Sequence, residues 1–220
     1  MPVSLNRRSL IRASAGLATA VLGGCSPALP RSTPDAENAT TMPKPTETRT
    51  LLAYFSRAGE NYYYGGRRTL TVGNTEALAR MIGDRIDCEV YRIEAADPYP
   101  DGYDDTVARN VREQNADARP EITNPLPDMD KYEIVLLGSG IWNVRAPMIM
   151  STFVESLDFT GKTILPFTTH AMSGLGTVER DYASSAPHAT IGTGLAVRGE
   201  EVPDAASEAE TWLREAGLLD

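Results

Sequence analysis

The chain has 220 residues, with 21 basic and 30 acidic side chains and a formal net charge of −9. That length gives one domain of ordinary size room for a core. The acidic balance excludes nucleic acid, whose binding needs a basic footprint, and permits a basic protein partner steered by charge.

The first segment reads as an address. Arg7 and Arg8 open the string N-R-R-S-L-I-R, and residues 1–25 carry no acid. The apolar stretch that follows, 13–24, is only 12 residues long, far short of the ~20 needed to span a bilayer. The string is similar to a twin-arginine signal, a receptor-read address. Leu22-Gly23-Gly24-Cys25 resembles the lipobox of bacterial lipoproteins, which implies cleavage before Cys25 and acylation of its thiol. The alternative is an uncleaved amphipathic N-terminus with a chance cysteine. Loss of Arg7, Arg8 and Arg12 with the signal takes the net charge from −9 to −12. With Cys25 lipidated, only Cys88 remains, so no internal disulfide forms despite an exported location. Residues 26–49 hold five of the chain's 15 prolines and hardly any large apolar side chains, a composition that does not fold by itself. As a flexible coil this tether spans roughly 25–30 Å.

From residue 50 to 220 strands and helices alternate. LLAYF (51–55), IVLLG (134–138) and TILPF (163–167) are runs suited to strands buried on both faces of a parallel sheet. Further strands are expected near 89–93 and 190–197. Helical spacing joins Leu78, Met81 and Ile82, then Ile149, Phe153 and Leu157, and finally Ala209, Trp212, Leu213 and Ala216, with Gly217 as C-cap. Another helix is expected over 103–114. The string predicts an α/β fold, an open doubly wound sheet of five parallel strands. Pro166 falls inside a central strand, where its missing N–H predicts a local irregularity.

Ligands of such sheets bind beyond the carboxyl ends of the strands. Three loops there, 56–75, 139–147 and 169–176, are rich in Gly, Ser, Thr, Asn and aromatic residues and nearly free of carboxylates. This speaks against a phosphoacceptor receiver domain, which needs acids there to hold a metal. Neither a G-x-S-x-G elbow, a GxxxxGK[ST] loop nor a G-x-G-x-x-G after the first strand is present. His170 and His188, the two histidines, stand 18 residues apart, and no metal site is expected. What remains is a set of hydroxyl, amide and backbone donors at a helix start, suited to a phosphate, and aromatics suited to a flat ring.

At these residues the chain resembles the flavodoxins. Ser56 and Gly73-Asn74-Thr75 match their phosphate loop, here with an insertion over 58–72. The nearest pattern is a subgroup with F-S-R-x-G-E-N before the insertion and V-G-N-T-E after it. Its further motifs correspond to DPYP (97–100), GSGIW with AP (138–142, 146–147), and PFTTH with SGLG (166–170, 173–176). The resemblance covers about residues 50–199 and implies a sheet of order 2-1-3-4-5, FMN as cofactor, and a role in electron transfer.

Carried over residue by residue, it implies that Ser56, Gly73, Asn74 and Thr75 hold the phosphate. Asn74 and Thr75 would also serve simply as helix caps. Arg57 either neutralises the phosphate or is an exposed charge. Tyr62, Tyr63, Tyr64, Arg67 and Arg68 in the insertion suggest a packed hairpin or lid. Trp142, with Gly140, Ile141 and Asn143, is expected against the flavin ring, with Thr169, His170, Ser173 and Gly174 along its other side. The subgroup carries an aromatic and a small residue where this chain has Asn143 and Val144. Arg145 and His170 are the candidates for chemistry, respectively stabilising charge on a reduced ring and donating a proton. Three functions compete: a membrane-tethered electron carrier with a basic redox partner, an FMN-dependent reductase of quinone-like molecules, and a binding module without cofactor. FMN is made in the cytoplasm, so an exported FMN protein has to fold around it before crossing, which is the service the twin-arginine route provides.

Overall fold

The apolar runs form the middle of a parallel sheet. The computed structural model describes residues 49–220; the twin-arginine stretch, Cys25 and all of the tether before Arg49 lie outside the described residues. Strand β1 is Thr50–Tyr54, and it is followed by a two-stranded antiparallel hairpin, β2 (Gly59–Tyr63) and β3 (Gly66–Leu70). Helix α1 (Asn74–Gly83), strand β4 (Glu89–Arg92), helix α2 (Tyr103–Asn115), strand β5 (Ile134–Gly140) and helix α3 (Met148–Glu155) come next. The chain continues with β6 (Thr163–His170), α4 (Val178–Ser185), β7 (Thr190–Ile191), β8 (Leu195–Arg198) and α5 (Ala206–Glu215). The sheet runs β4-β1-β5-β6, with β7 and β8 both against β6, every pairing parallel. This is the 2-1-3-4-5 order, counting β7 and β8 as one position.

Alternation sorts the sheet's side chains into two cores. Leu51, Ala53, Val135 and Leu137 meet Ile149, Phe153 and Tyr182 of α3 and α4 on one face. Leu52, Leu136 and Phe167 meet Leu78 and Ile82 of α1 and Trp212 and Leu213 of α5 on the other. Fully buried side chains of this size contribute about 1.5–3 kcal/mol each by leaving water. Gly217 (φ +71) closes α5 with a Schellman pair, its N–H on the Arg214 carbonyl and that of Leu218 on Leu213.

Two expectations need correction. The single strand near 190–197 is two short ones, and the irregularity tied to Pro166 falls on this neighbour. Strand β6 runs unbroken through Pro166, which pairs with Leu137. The Ile164 carbonyl accepts from Gly192 N at 2.9 Å, so the alternation places Pro166 toward the same neighbour, where it has no N–H to give. Residues 192–194 leave the ladder opposite it, and β8 resumes pairing at Phe167. The second correction is helix α3, which ends at Glu155, before Leu157. Among the described residues no helix is long and apolar enough to cross a membrane.

Candidate functional site

The carboxyl ends of β1, β5 and β6 open into a cleft of about 400 Å3. Its floor is the start of α1. Gly73 is the N-cap in extended conformation, so neither Asn74 nor Thr75 caps the helix through its side chain. A Cβ on Gly73 would collide with Ser56 Oγ and the Arg57 carbonyl, so only glycine lets the two ends of the insertion meet. Ser56 Oγ accepts from Glu76 N at 3.0 Å, and the Ala77 N–H goes to the Gly73 carbonyl. The Asn74 and Thr75 amides have no protein acceptor among the described residues, as expected of a first turn. Thr75 Oγ1 lies 2.7 Å from Thr169 Oγ1, tying the floor to the end of β6. Orphan amides, hydroxyls and the positive end of the helix dipole favour an anion here.

Trp142 forms the opposite wall. It packs edge-on to Tyr99 (centroids 5.1 Å) and Phe55 (5.8 Å). Tyr99 is in turn capped by the Arg109 guanidinium at 3.9 Å and donates its hydroxyl to Glu113 at 2.7 Å. The DPYP stretch is therefore a buttress for Trp142: Asp97 pairs with Arg109 at 3.1 Å, and the Pro98 carbonyl accepts from the same guanidinium. The Trp142-to-Arg145 turn is tight, with Trp142 N on the Arg145 carbonyl at 2.8 Å. Asn143 (φ +51) and Val144 (φ +65) both occupy the left-handed region. Asparagine tolerates that region, whereas a β-branched valine there is strained.

Gly140, Ile141, Asn143, Thr169 and His170 also line the cleft. Among the described residues His170 Nδ1 is buried without a well-formed hydrogen bond, and the Ala196 backbone is the polar group that approaches the ring. Burial, followed by the charge of Arg198 beside it, lowers the His170 pKa from its ordinary value, favouring neutral imidazole.

The structure places four of the candidates differently. Arg57 borders the cleft, but its guanidinium is spent on the carbonyls of Pro100 (3.0 Å), Asp101 (2.9 Å) and Glu60. It fastens the hairpin to the 97–102 loop, so most of its donors are already held by backbone carbonyls. Arg145 turns away to Asp181 at 3.6 Å, in a separate cavity beside α4. Ser173 and Gly174 stand behind the lining: the Gly174 carbonyl accepts from Thr168 Oγ1 at 3.2 Å, and that of Ser173 from Gly176 N. Their segment supports the Trp142 turn, because a Cβ on Gly176 would collide with the Val144 carbonyl.

Sequence reasoning missed three contributors. One is the uncharged face of α2, where Tyr103, Thr106, Val107, Asn110 and Val111 line the cleft; their helical spacing among charged neighbours was a readable signal. Another is Glu200, a carboxylate in a cleft expected to be nearly free of them, which accepts from Tyr64 N at 2.8 Å. The third is Gly199, whose lack of a side chain admits Asn74. The insertion is the hairpin β2–β3. It brings Asn61 and Tyr62 to the cleft, and it is held at α2 by Arg67 on Asp104 (2.8 and 2.6 Å).

An open parallel sheet with helices on both faces and a donor-floored, aromatic-walled cleft at its carboxyl edge defines a doubly wound α/β binding protein. The family model described as Flavodoxin matches residues 68–215, and the chain belongs to the flavodoxin family. The match starts beyond Ser56 and Arg57. The chain is similar to a candidate flavoprotein of Bacteroides uniformis, at 27% identity and TM-score 0.62, over 76% of this chain and 98% of that one. A second candidate flavoprotein, from Bacteroides eggerthii, shows 24% identity and TM-score 0.60 over 78% and 99%. A flavoprotein of Lactobacillus acidophilus, solved in complex with FMN, shares the fold at 18% identity and TM-score 0.52 over 72% and 98%. No curated protein matches the chain.

Proposed function

We propose that the protein binds FMN in this cleft and serves as an electron-transfer flavoprotein, exported folded by the twin-arginine route and tethered through Cys25. The observation that carries the reading is the pairing, within one cleft, of a hydroxyl- and amide-lined α1 terminus with a buttressed indole. The residues present fit the group. Ser56, Asn74, Thr75 and the free first-turn amides suit a phosphate monoester, and Trp142 with the uncharged face of α2 suits a planar ring. When bound, FMN supplies the redox chemistry, and the protein supplies binding, orientation and tuning. Trp142, held by Tyr99 and Phe55, orients the ring without a rearrangement of its own.

The twin-arginine string and the lipobox-like Cys25 support export and anchoring, and the acidic charge supports a basic redox partner. The FMN-bound relative and the family match support the cofactor. The test is a visible absorption spectrum of the protein purified from cytoplasm. A stoichiometric flavin signal that releases FMN on denaturation is expected; a colourless protein that added FMN does not reconstitute overturns the reading.

A reductase of quinone-like molecules has one observation in its favour, the imidazole of His170 in the lining of the cleft. Steady-state NADH and NADPH oxidation with a panel of quinones separates the two. The carrier reading expects slow turnover without an added reductase, and rapid turnover selects the reductase.

A further inference from the structure

Asn110 and Thr106 are the buried polar residues of the α2 wall, and Asn110 is the one at the Trp142 end. It is 3% exposed, while the neighbouring Val107 and Val111 are 43% and 42% exposed. The direction of its carboxamide follows from a chain of hydrogen bonds in which each donor and acceptor is fixed. The Trp142 carbonyl can only accept, and it lies 3.0 Å from the Gln114 side chain, so that end of Gln114 is Nε2. Gln114 Oε1 then faces Asn143 Nδ2, which donates to it at 3.0 Å. The second hydrogen on Gln114 Nε2 is directed to Asn110 at 3.3 Å, so the atom receiving it is Oδ1. What remains is Asn110 Nδ2, a donor with no protein acceptor among the described residues, on a side chain that lines the cleft at the Trp142 end. That nitrogen is open to the cleft, and a donor whose direction is fixed before a ligand arrives loses little freedom on binding, which favours an acceptor from outside the chain at that place.

We propose that Asn110 is a ligand-recognition residue whose Nδ2 donates to a carbonyl or ring-nitrogen acceptor of the flavin ring held against Trp142. Gln114 is the positioning residue that fixes the carboxamide. The inference rests on the FMN reading and adds to it an element outside the three strand-end loops. Because Asn143 holds Gln114, the Trp142 turn and α2 answer to each other: a shift of the turn reorients Asn110.

The test is titration of the flavin-free protein with FMN, followed by quenching of FMN fluorescence, for wild type, Asn110→Asp, Asn110→Ala, Gln114→Glu and the Asn110→Ala/Gln114→Glu double variant. At pH 8 the Asn110→Asp carboxylate offers only acceptors, and FMN binding is expected to weaken about tenfold or more. Toward about pH 4 its carboxyl takes up a proton and donates again, and the ratio to wild type narrows. Gln114→Glu is expected to weaken binding severalfold alone and by clearly less once Asn110 is alanine, the remainder acting through the Trp142 carbonyl, a coupling that general damage to the fold does not produce. Thermal unfolding of each flavin-free variant identifies any that fail to fold; if Asn110→Asp is one, the Gln114→Glu comparison carries the test. A wild type that binds no FMN overturns the cofactor reading and this inference with it. A wild type that binds FMN while the variants bind it equally well overturns the Asn110 assignment alone. Unchanged FMN affinity with a raised KM for a soluble quinone overturns the flavin as the source of the acceptor.

Discussion

Val144 carries a strain that a single substitution can release. It holds φ +65 beside Asn143 at φ +51, in a turn whose second position favours glycine. The left-handed conformation costs a residue with a Cβ about 1–2 kcal/mol, part of which glycine gives back through its freer unfolded chain. Val144→Gly is expected to stabilise the domain by about 1 kcal/mol, raising the midpoint of thermal unfolding by roughly 2–4 °C. A lowered midpoint would show that valine's side chain holds the turn. At the other side of the cleft, burial lowers the His170 pKa below 6.5. Its folded pKa is depressed, so its contribution to stability is complete above 6.5 and is lost as pH falls through the folded value, because the unfolded chain takes up the proton first. An NMR titration is expected to place the ring's midpoint below 6.5, and His170→Gln to flatten the stability profile in that window. A midpoint at or above 6.5 refutes the assignment.

The pairing of β5 and β6 depends on one small residue. Gly138 lies opposite Phe167 in the ladder, and a Cβ there would run into the Phe167 ring. That ring is fully buried and leans on Trp212 with centroids 6.4 Å apart, so it has little room to retreat. Gly138→Ala is expected to destabilise the domain by about 1–3 kcal/mol in denaturant unfolding, and adding Phe167→Leu to restore part of the loss. An unaffected Gly138→Ala protein would mean the sheet yields at this point. The same two strands show what was legible in the sequence. IVLLG and TILPF announce buried strands by composition alone, whereas the split of the fifth position required knowing that Pro166 faces that neighbour and not β5. Helix α2 is expected from the sequence over 103–114, but its functional face is not, because spacing that marks an inward face does not say whether a core or a ligand lies inside.

Charge governs how the whole molecule meets other proteins. A net charge of −9, or −12 without the first 25 residues, favours encounter with a basic partner and resists an acidic one. Stopped-flow association with a basic redox protein is expected to slow steeply as ionic strength rises from about 0.01 M, where the Debye length is about 30 Å, to 0.15 M, where it is about 8 Å. A rate indifferent to salt removes electrostatic docking from the account.

The sequence by itself determined the α/β class, the strand-end loops that bear the cleft, and about half of the residues that line it, because apolar runs, helical spacing and loop composition are local properties of the chain. It also gives the expectation of an export address and a tether, which before Arg49 fall outside the described residues. Tertiary structure alone decided that Arg57 is tied to three carbonyls at the cleft's border and that Arg145 turns to Asp181 in a separate cavity. A guanidinium reaches far along a flexible stem, and its partner is whichever acceptor the fold brings near. The same holds for Glu200, 136 residues from the Tyr64 amide it accepts, and for Asn110, whose orientation is set through Gln114 by a backbone carbonyl on another element. Such pairings follow from where the sheet and helices carry the chain, which residue spacing does not encode.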